Sequence, residues 1–120
     1  MKLRILGNSI RLRLSQSDLA ALLDGGAVEE RVVFPGGPVL TYRLESSSAA
    51  STEADYDDDR ILIRFPIAEI EKWARPTEVT MRAELALEEG RLELLVEKDF
   101  RCLSPRDGED DTDLFPNPGA

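Results

Sequence analysis

Polar and apolar residues alternate with a period of two along several stretches of this chain, and two further stretches carry apolar residues at helical spacing. The first pattern is typical of half-buried strands and the second of amphipathic helices. Together they predict strand, helix, strand, turn and strand over residues 10–45, and the same order again over residues 61–97. The two stretches align when Ile10 is set against Ile61, with one residue inserted before the last strand. A duplicated unit that cannot bury its own apolar face has to close against its copy.

The first unit has clear boundary signals. Residues 3–6 predict a short strand ahead of it. Ser15 is the expected N-cap of the helix, with Asp18 at the capping-box position, and the glycine pair at 25–26 is expected to end it. The Pro-Gly-Gly-Pro segment at 35–38 predicts the turn between the next two strands.

Residues 52–59 precede the second unit and predict an acidic edge strand that leads into a turn of three aspartates. Residues 60–65 predict a strand, Pro66 suits the first turn of the second helix, and Glu-Glu-Gly at 88–90 predicts the last hairpin turn. We therefore predict an α+β fold. In it, a duplicated β-α-β-β unit forms a curved, mainly antiparallel sheet or half-barrel, with two helices packed on its apolar side.

Charge and composition exclude several classes of function. The formal net charge of −9 argues against nucleic acid or an anionic membrane as a partner, and no apolar run approaches the roughly 18 residues that span a bilayer. The single cysteine excludes an internal disulfide and indicates a reducing cytoplasm. The chain has no histidine, the commonest general base and transition-metal ligand. We therefore predict no catalytic residue, no metal and no cofactor.

Strand alternation also collects basic residues on one face of the predicted sheet. This face, opposite the apolar one, carries eight of the fifteen basic residues, with glutamates between them. We name six of these residues the arginine set and treat them as candidate anion-binding residues: Arg11, Arg13, Arg31, Arg43, Arg64 and Arg82. If they converge, they make an anion pocket; if they pair with glutamates across strands, they only solvate the sheet.

The duplicated layout resembles that of triphosphate tunnel enzymes, whose barrels hold polyphosphate among inward-pointing basic residues and metal-binding glutamates. That family begins with two glutamates and a lysine alternating on its first strand. This chain has Lys-Leu-Arg-Ile-Leu at 2–6 and Ile-Arg-Leu-Arg-Leu at 10–14 instead. The likeness therefore covers topology and charge, and no catalytic residue is carried over from it.

The C-terminal end is acidic and contains prolines. We assign residues 1–103 to one globular domain and 104–120 to a tail that packs on it, anchored by Phe100 and Phe115. Three of its aspartates are expected to face the arginine set: Asp110, Asp111 and Asp113. The carboxylates at 107–113 superficially resemble a calcium loop, but the required glycine and terminal glutamate are missing. We expect Cys102 to be a packed or incidental residue, because there is no histidine to activate it.

Segments near the two ends resemble a known family. Residues 7–17 (GNSIRLRLSQS), 97–103 (EKDFRCL) and 115–118 (FPNP) are similar to a family of short bacterial proteins of unknown function. The resemblance runs nearly end to end, and it implies a bacterial cytoplasmic protein without indicating an activity. We therefore expect a non-catalytic cytoplasmic binding or accessory module with an unknown protein partner. The alternative is an anion- or polyphosphate-binding protein, or a divergent phosphohydrolase that resembles the triphosphate tunnel enzymes. Either would use the arginine set.

Overall fold

The computed structural model describes residues 1–101 and 112–117. Within these residues the order of two strands, one helix and two strands occurs twice. The helices are α1 (Gln16–Leu23) and α2 (Ile67–Trp73). The strands are β1 (Lys2–Leu6), β2 (Ser9–Leu14), β3 (Ala27–Val33), β4 (Val39–Ser47), β5 (Glu53–Asp57), β6 (Arg60–Pro66), β7 (Thr80–Ala86) and β8 (Arg91–Lys98).

The strands form two four-stranded sheets, and each sheet takes one hairpin from each half of the chain. The first sheet has the order β1-β2-β8-β7 and the second the order β3-β4-β6-β5. All four hairpins are antiparallel, whereas the central pairs β2–β8 and β4–β6 are parallel. The α+β class is thus confirmed, but the described strands form two mixed sheets and not the single sheet that we predicted. Periodicity shows which face of a strand is buried and cannot show which strand is its neighbour.

One core lies between the two sheets and the helices. It joins inward side chains of both sheets to one face of each helix. Its fully buried members include Leu12, Leu14, Leu22, Leu44, Ile63, Phe65, Ile70, Leu94 and Val96. Among the described residues, no helix is long and apolar enough to cross a membrane.

The predicted ends of α1 are confirmed. The Ser15 hydroxyl accepts a hydrogen bond from the Asp18 backbone N–H at 3.3 Å, and the Asp18 carboxylate accepts one from the Ser15 N–H at 3.0 Å. Gly25 follows the helix with φ at 78°, a left-handed conformation that glycine adopts without steric cost. Pro66 differs slightly from its prediction, because it ends β6 and is the N-cap of α2.

All four hairpin turns lie at the end of the molecule away from the helices. Because β2 and β6 each run directly into a helix, the opposite ends of both sheets carry the turns at 7–8, 34–38, 58–59 and 87–90. We call this region the hairpin-tip end. At 58–59 both aspartates have positive φ, 51° and 57°, as the favoured two-residue hairpin turn requires.

Residues 112–117 contact β8 and α1. Phe115 exchanges backbone hydrogen bonds with Asp99 and Arg101, and its ring meets that of Phe100 edge-on at 6.3 Å. One carboxylate oxygen of Asp113 accepts a hydrogen bond from the Ser17 N–H at 3.1 Å, so this oxygen lies at the start of α1 and not on the arginine set. The predictions for Cys102, Asp110 and Asp111 lie outside the described residues, as does most of the segment that resembles a calcium loop.

Lys98 is a buried cation that joins three parts of the fold. Its side chain ends at the segment that follows α2, where Nζ donates hydrogen bonds to the carbonyls of Arg75 and Glu78 at 2.8 and 2.7 Å. The same Nζ lies 5.8 Å from the ring centroid of Trp73 and 5.5 Å from that of Phe115. Burial lowers the pKa of Lys98, because an apolar environment disfavours the charged form. The two carbonyls and two rings offset that cost.

Replacing Lys98 with methionine is expected to destabilise the protein by about 1–3 kcal/mol, because two carbonyls lose their buried donor. The measurement is urea unfolding followed by Trp73 fluorescence, at neutral pH. Lys72, an exposed lysine on α2, provides the matched control, and its change to methionine is expected to leave stability within about 0.5 kcal/mol. A K98M protein as stable as the original would contradict this expectation, since it would show that the desolvation cost of Lys98 cancels the contribution of these contacts.

Candidate functional site

The outer faces of the two sheets carry the arginine set and divide it. Inward side chains of both sheets share one core, so alternate side chains point away from it in two different directions. The first sheet carries Arg11, Arg13 and Arg82, and the second carries Arg31, Arg43 and Arg64. The structure therefore does not bring the six arginines together.

On the first sheet, a glutamate of β8 lies between two arginines of β2. Arg13 is in register with Glu97, whose carboxylate oxygens lie 3.1 Å from Arg11 Nε and 3.7 Å from Arg13 Nε. Arg82 on β7 lies 3.8 Å from Glu93. These are cross-strand ion pairs on a partly exposed surface, and each contributes little to stability.

The second sheet repeats this arrangement around Glu45. Its two carboxylate oxygens accept hydrogen bonds from Arg43 Nε at 2.8 Å and Arg64 Nε at 3.3 Å. The hydrogen bond from Arg43, followed by that from Arg64, holds the pKa of Glu45 below its usual value despite partial burial. The same bond to Glu45 raises the pKa of Arg43. Two further carboxylates, Glu29 and Glu53, lie 3.6 Å from Arg43 and Arg64 respectively.

A buried leucine lies on each polar face, which strand alternation alone did not predict. Leu95 is in register with Arg11 on one side and Arg82 on the other, and only 4% of its surface is exposed. Leu62 is in register with Arg43 and is 6% exposed. Long arginine side chains can cover apolar surface with their methylene groups while the guanidinium stays in water. The arginines thus have a packing role beside their ion pairs.

A hollow of about 720 Å³ lies on the outer face of the second sheet. Its charged lining comprises Arg60 and Arg64 against four carboxylates, so its charge does not favour an anion. Of the arginine set, all of which is described, Arg64 alone lines it. The carboxylates are Glu29, Asp55, Asp57 and Asp58. Within residues 1–101 and 112–117, no three histidine, cysteine or acidic side chains are grouped so as to hold a metal ion.

The hairpin-tip end is the main exposed apolar surface of the described residues. It carries seven of their nine exposed large apolar side chains; the other two are Leu23 and Val79. The seven are Ile5, Leu6, Val32, Val33, Phe34, Tyr56 and Leu87. Val32 lies at an apolar position of the alternating pattern of β3, yet it is 42% exposed because the helices that close the core lie at the opposite end. Sequence reasoning missed this surface, although its signal was present in the uncharged runs 5–10 and 32–42.

Comparison with known proteins adds one finding. A family model, described as a family of unknown function (DUF7009), matches residues 1–119. The chain belongs to this family. The match confirms the resemblance to a family of unknown function, and it extends from β1 through the tail. No curated protein and no solved structure was found to match, so the comparisons supply no activity or ligand for DUF7009.

Replacing Glu45 with glutamine is expected to lower stability at neutral pH by about 1 kcal/mol or less, because Arg43 and Arg64 are about one-third exposed to solvent. The pKa of Glu45 is lowered in the folded protein, so its contribution is complete above the unfolded pKa of about 4.5. It is lost as the pH falls through the folded pKa.

The measurement is the free energy of unfolding of both proteins between neutral and strongly acidic pH. The two curves should converge as Glu45 becomes protonated. Glu84 is the control, since it is half-exposed and lies 3.5 Å from Arg91. An E84Q difference as large as that of E45Q would contradict a special role for the Glu45 pairs.

Proposed function

We propose that this protein is a non-catalytic binding or accessory module that acts in the cytoplasm and recognises a protein partner through its hairpin-tip end. The observation that carries the proposal is the separation of charged and apolar surface. On the outer faces, every member of the arginine set except Arg31 is paired with a glutamate, and the tips present exposed apolar side chains. Contiguous exposed apolar surface is typical of interaction sites. The single cysteine supports a reducing compartment.

The alternative, an anion- or polyphosphate-binding protein or a divergent phosphohydrolase, has weaker support. Such a site requires several cations that converge on one ligand. Here an anion at Arg11 and Arg13 would have to displace Glu97, and an anion at Arg43 and Arg64 would have to displace Glu45. The two groups also lie on different outer faces.

We also propose that the fold is an internal duplication in which the two sheets form opposed half-barrels. Strand register supports this idea, because Ile10 pairs with Leu94 as Ile61 pairs with Tyr42. Each of these pairs joins the strand before a helix to the last strand of the other half. The correspondence between β3 and β7 is offset by two residues from our alignment, since Val28 lies opposite Leu44 and Met81 opposite Val96.

A thermal-shift screen separates the binding module from the anion-binding alternative. The ligands are phosphate, triphosphate and nucleotides, each with and without magnesium. We expect no ligand to raise the melting temperature beyond the effect of matched chloride salt, because five of the six arginines of the set, all but Arg31, already lie against glutamates.

The matched variant is Arg13→Ala with Arg64→Ala, which removes one arginine from each face. Stabilisation of the original protein by triphosphate that disappears in this variant would overturn the proposal and support an anion site. An equal shift in both proteins would be a general salt effect and would leave the arginines without a ligand.

A further inference from the structure

The four hairpin tips differ in chemistry, and the difference follows the two halves of the chain. The β1–β2 tip and the β3–β4 tip belong to uncharged runs, residues 5–10 and 32–42. The β5–β6 tip carries three consecutive aspartates at 57–59, and the β7–β8 tip carries Glu88 and Glu89. The hairpin-tip end therefore has two apolar tips and two acidic tips.

The two apolar tips lie on the same side of the molecule. The hydroxyl of Tyr42 on β4 donates a hydrogen bond to the backbone carbonyl of Met1, which places the start of β1 beside the second sheet at its β3–β4 side. Both β1 and β3 run from the helix end towards the tips. At their ends Leu6 is 74% exposed, Val33 68% and Phe34 49%. Such exposure of large side chains at two tips on one side of the molecule marks a surface that a partner can cover.

The acidic tips supply charge next to this apolar surface. Five carboxylates at positions 57–59 and 88–89 are accompanied by Arg60 and Arg91, and Arg91 already lies 3.5 Å from Glu84. All five acidic residues are exposed. The acidic half therefore attracts cations, and it does so beside an uncharged half that can bury apolar groups.

We propose that the hairpin-tip end binds a basic amphipathic segment of a partner protein. Its apolar side chains would cover Leu6, Val33 and Phe34, and its lysines or arginines would face the carboxylates of the other two tips. This inference rests on the proposed function and adds the chemistry of the partner.

Charge also disfavours the other occupants of this surface. In a two-fold contact between copies, acidic tips would meet acidic tips or lie against apolar ones, and either arrangement is unfavourable. An anionic membrane would be repelled by the same carboxylates and by a net charge of −9. A basic amphipathic segment satisfies both halves of the surface at once.

The test uses the full chain and a fluorescent twelve-residue peptide of alternating lysine and leucine, with binding followed by anisotropy. Two reference peptides have glutamate in place of lysine, or serine in place of leucine. We expect the lysine–leucine peptide to bind more tightly than both, with an affinity that falls as salt is added. Hydrogen exchange of the unmodified protein should show protection at residues 5–10 and 32–42.

Variants locate the binding surface. Leu6→Ser with Phe34→Ser and, separately, Asp58→Asn with Glu88→Gln are each expected to weaken binding about tenfold, as loss of a few central contacts commonly does. The matched controls lie away from the tips: Leu23→Ser with Val79→Ser, whose side chains are 43% and 44% exposed, and Glu69→Gln with Glu71→Gln on α2. They are expected to bind as the original protein does.

Each other outcome overturns the inference in a distinct way. Preferred binding of the glutamate–leucine peptide at the tips would keep the proposed function and reject a basic partner. A dimer in light scattering that the Leu6 and Phe34 changes dissociate would assign the surface to a second copy. If no peptide protects the tips, the inference fails. The proposed function fails on a separate result, which is stabilisation by triphosphate that disappears when Arg13 and Arg64 are replaced. Hydrogen exchange on the unmodified protein decides these cases even if a variant does not fold.

Discussion

Parallel pairing between strands from opposite halves of the chain is the constraint on which the rest of this structure depends. The first sheet is completed only when β2 pairs with β8, and the second only when β4 pairs with β6. The strands of each pair belong to different halves of the chain. Neither half can form a four-stranded sheet alone, because each contributes one hairpin to each sheet. Two-stranded hairpins are marginal in water, so the sheets and the core between them must form together.

The same pairing sets the position of the charged residues. A parallel register brings Glu97 beside Arg13 and Glu45 beside Arg64, and alternation within each strand adds Arg11 or Arg43 to the same carboxylate. Every one of these groups lies on an outer face, because the alternate positions fill the shared core. The glutamates thus neutralise five of the six arginines of the set, all but Arg31. This pairing and the division between two sheets are the reasons that a concentration of arginines in sequence does not become an anion pocket in space.

Local features of the fold were predictable from sequence, and long-range ones were not. The Ser15–Asp18 capping box, the glycine stop of α1 and the aspartate turn at 58–59 depend on neighbours within a few residues, and all three were confirmed. The division into two sheets depends on pairing between distant strands, which a period of two does not encode. The same limit applies to the candidate site. Alternation correctly placed the arginines on polar faces, but it could not show that these faces point in different directions or that Leu62 and Leu95 are buried among them.

The hairpin tips of the two halves of the chain differ in chemistry, and this difference bears on their role. The β1–β2 and β5–β6 hairpins occupy corresponding places in the strand order, as do the β3–β4 and β7–β8 hairpins. Each pair of tips meets the same requirement of reversing the chain, and short polar turns would satisfy it. One member of each pair is nevertheless apolar and the other acidic. The fold does not require this contrast, and the exposed side chains of Leu6 and Phe34 lie outside the hydrophobic core. The contrast between the tips of the two halves is therefore the observation that leads us to propose a binding role for them.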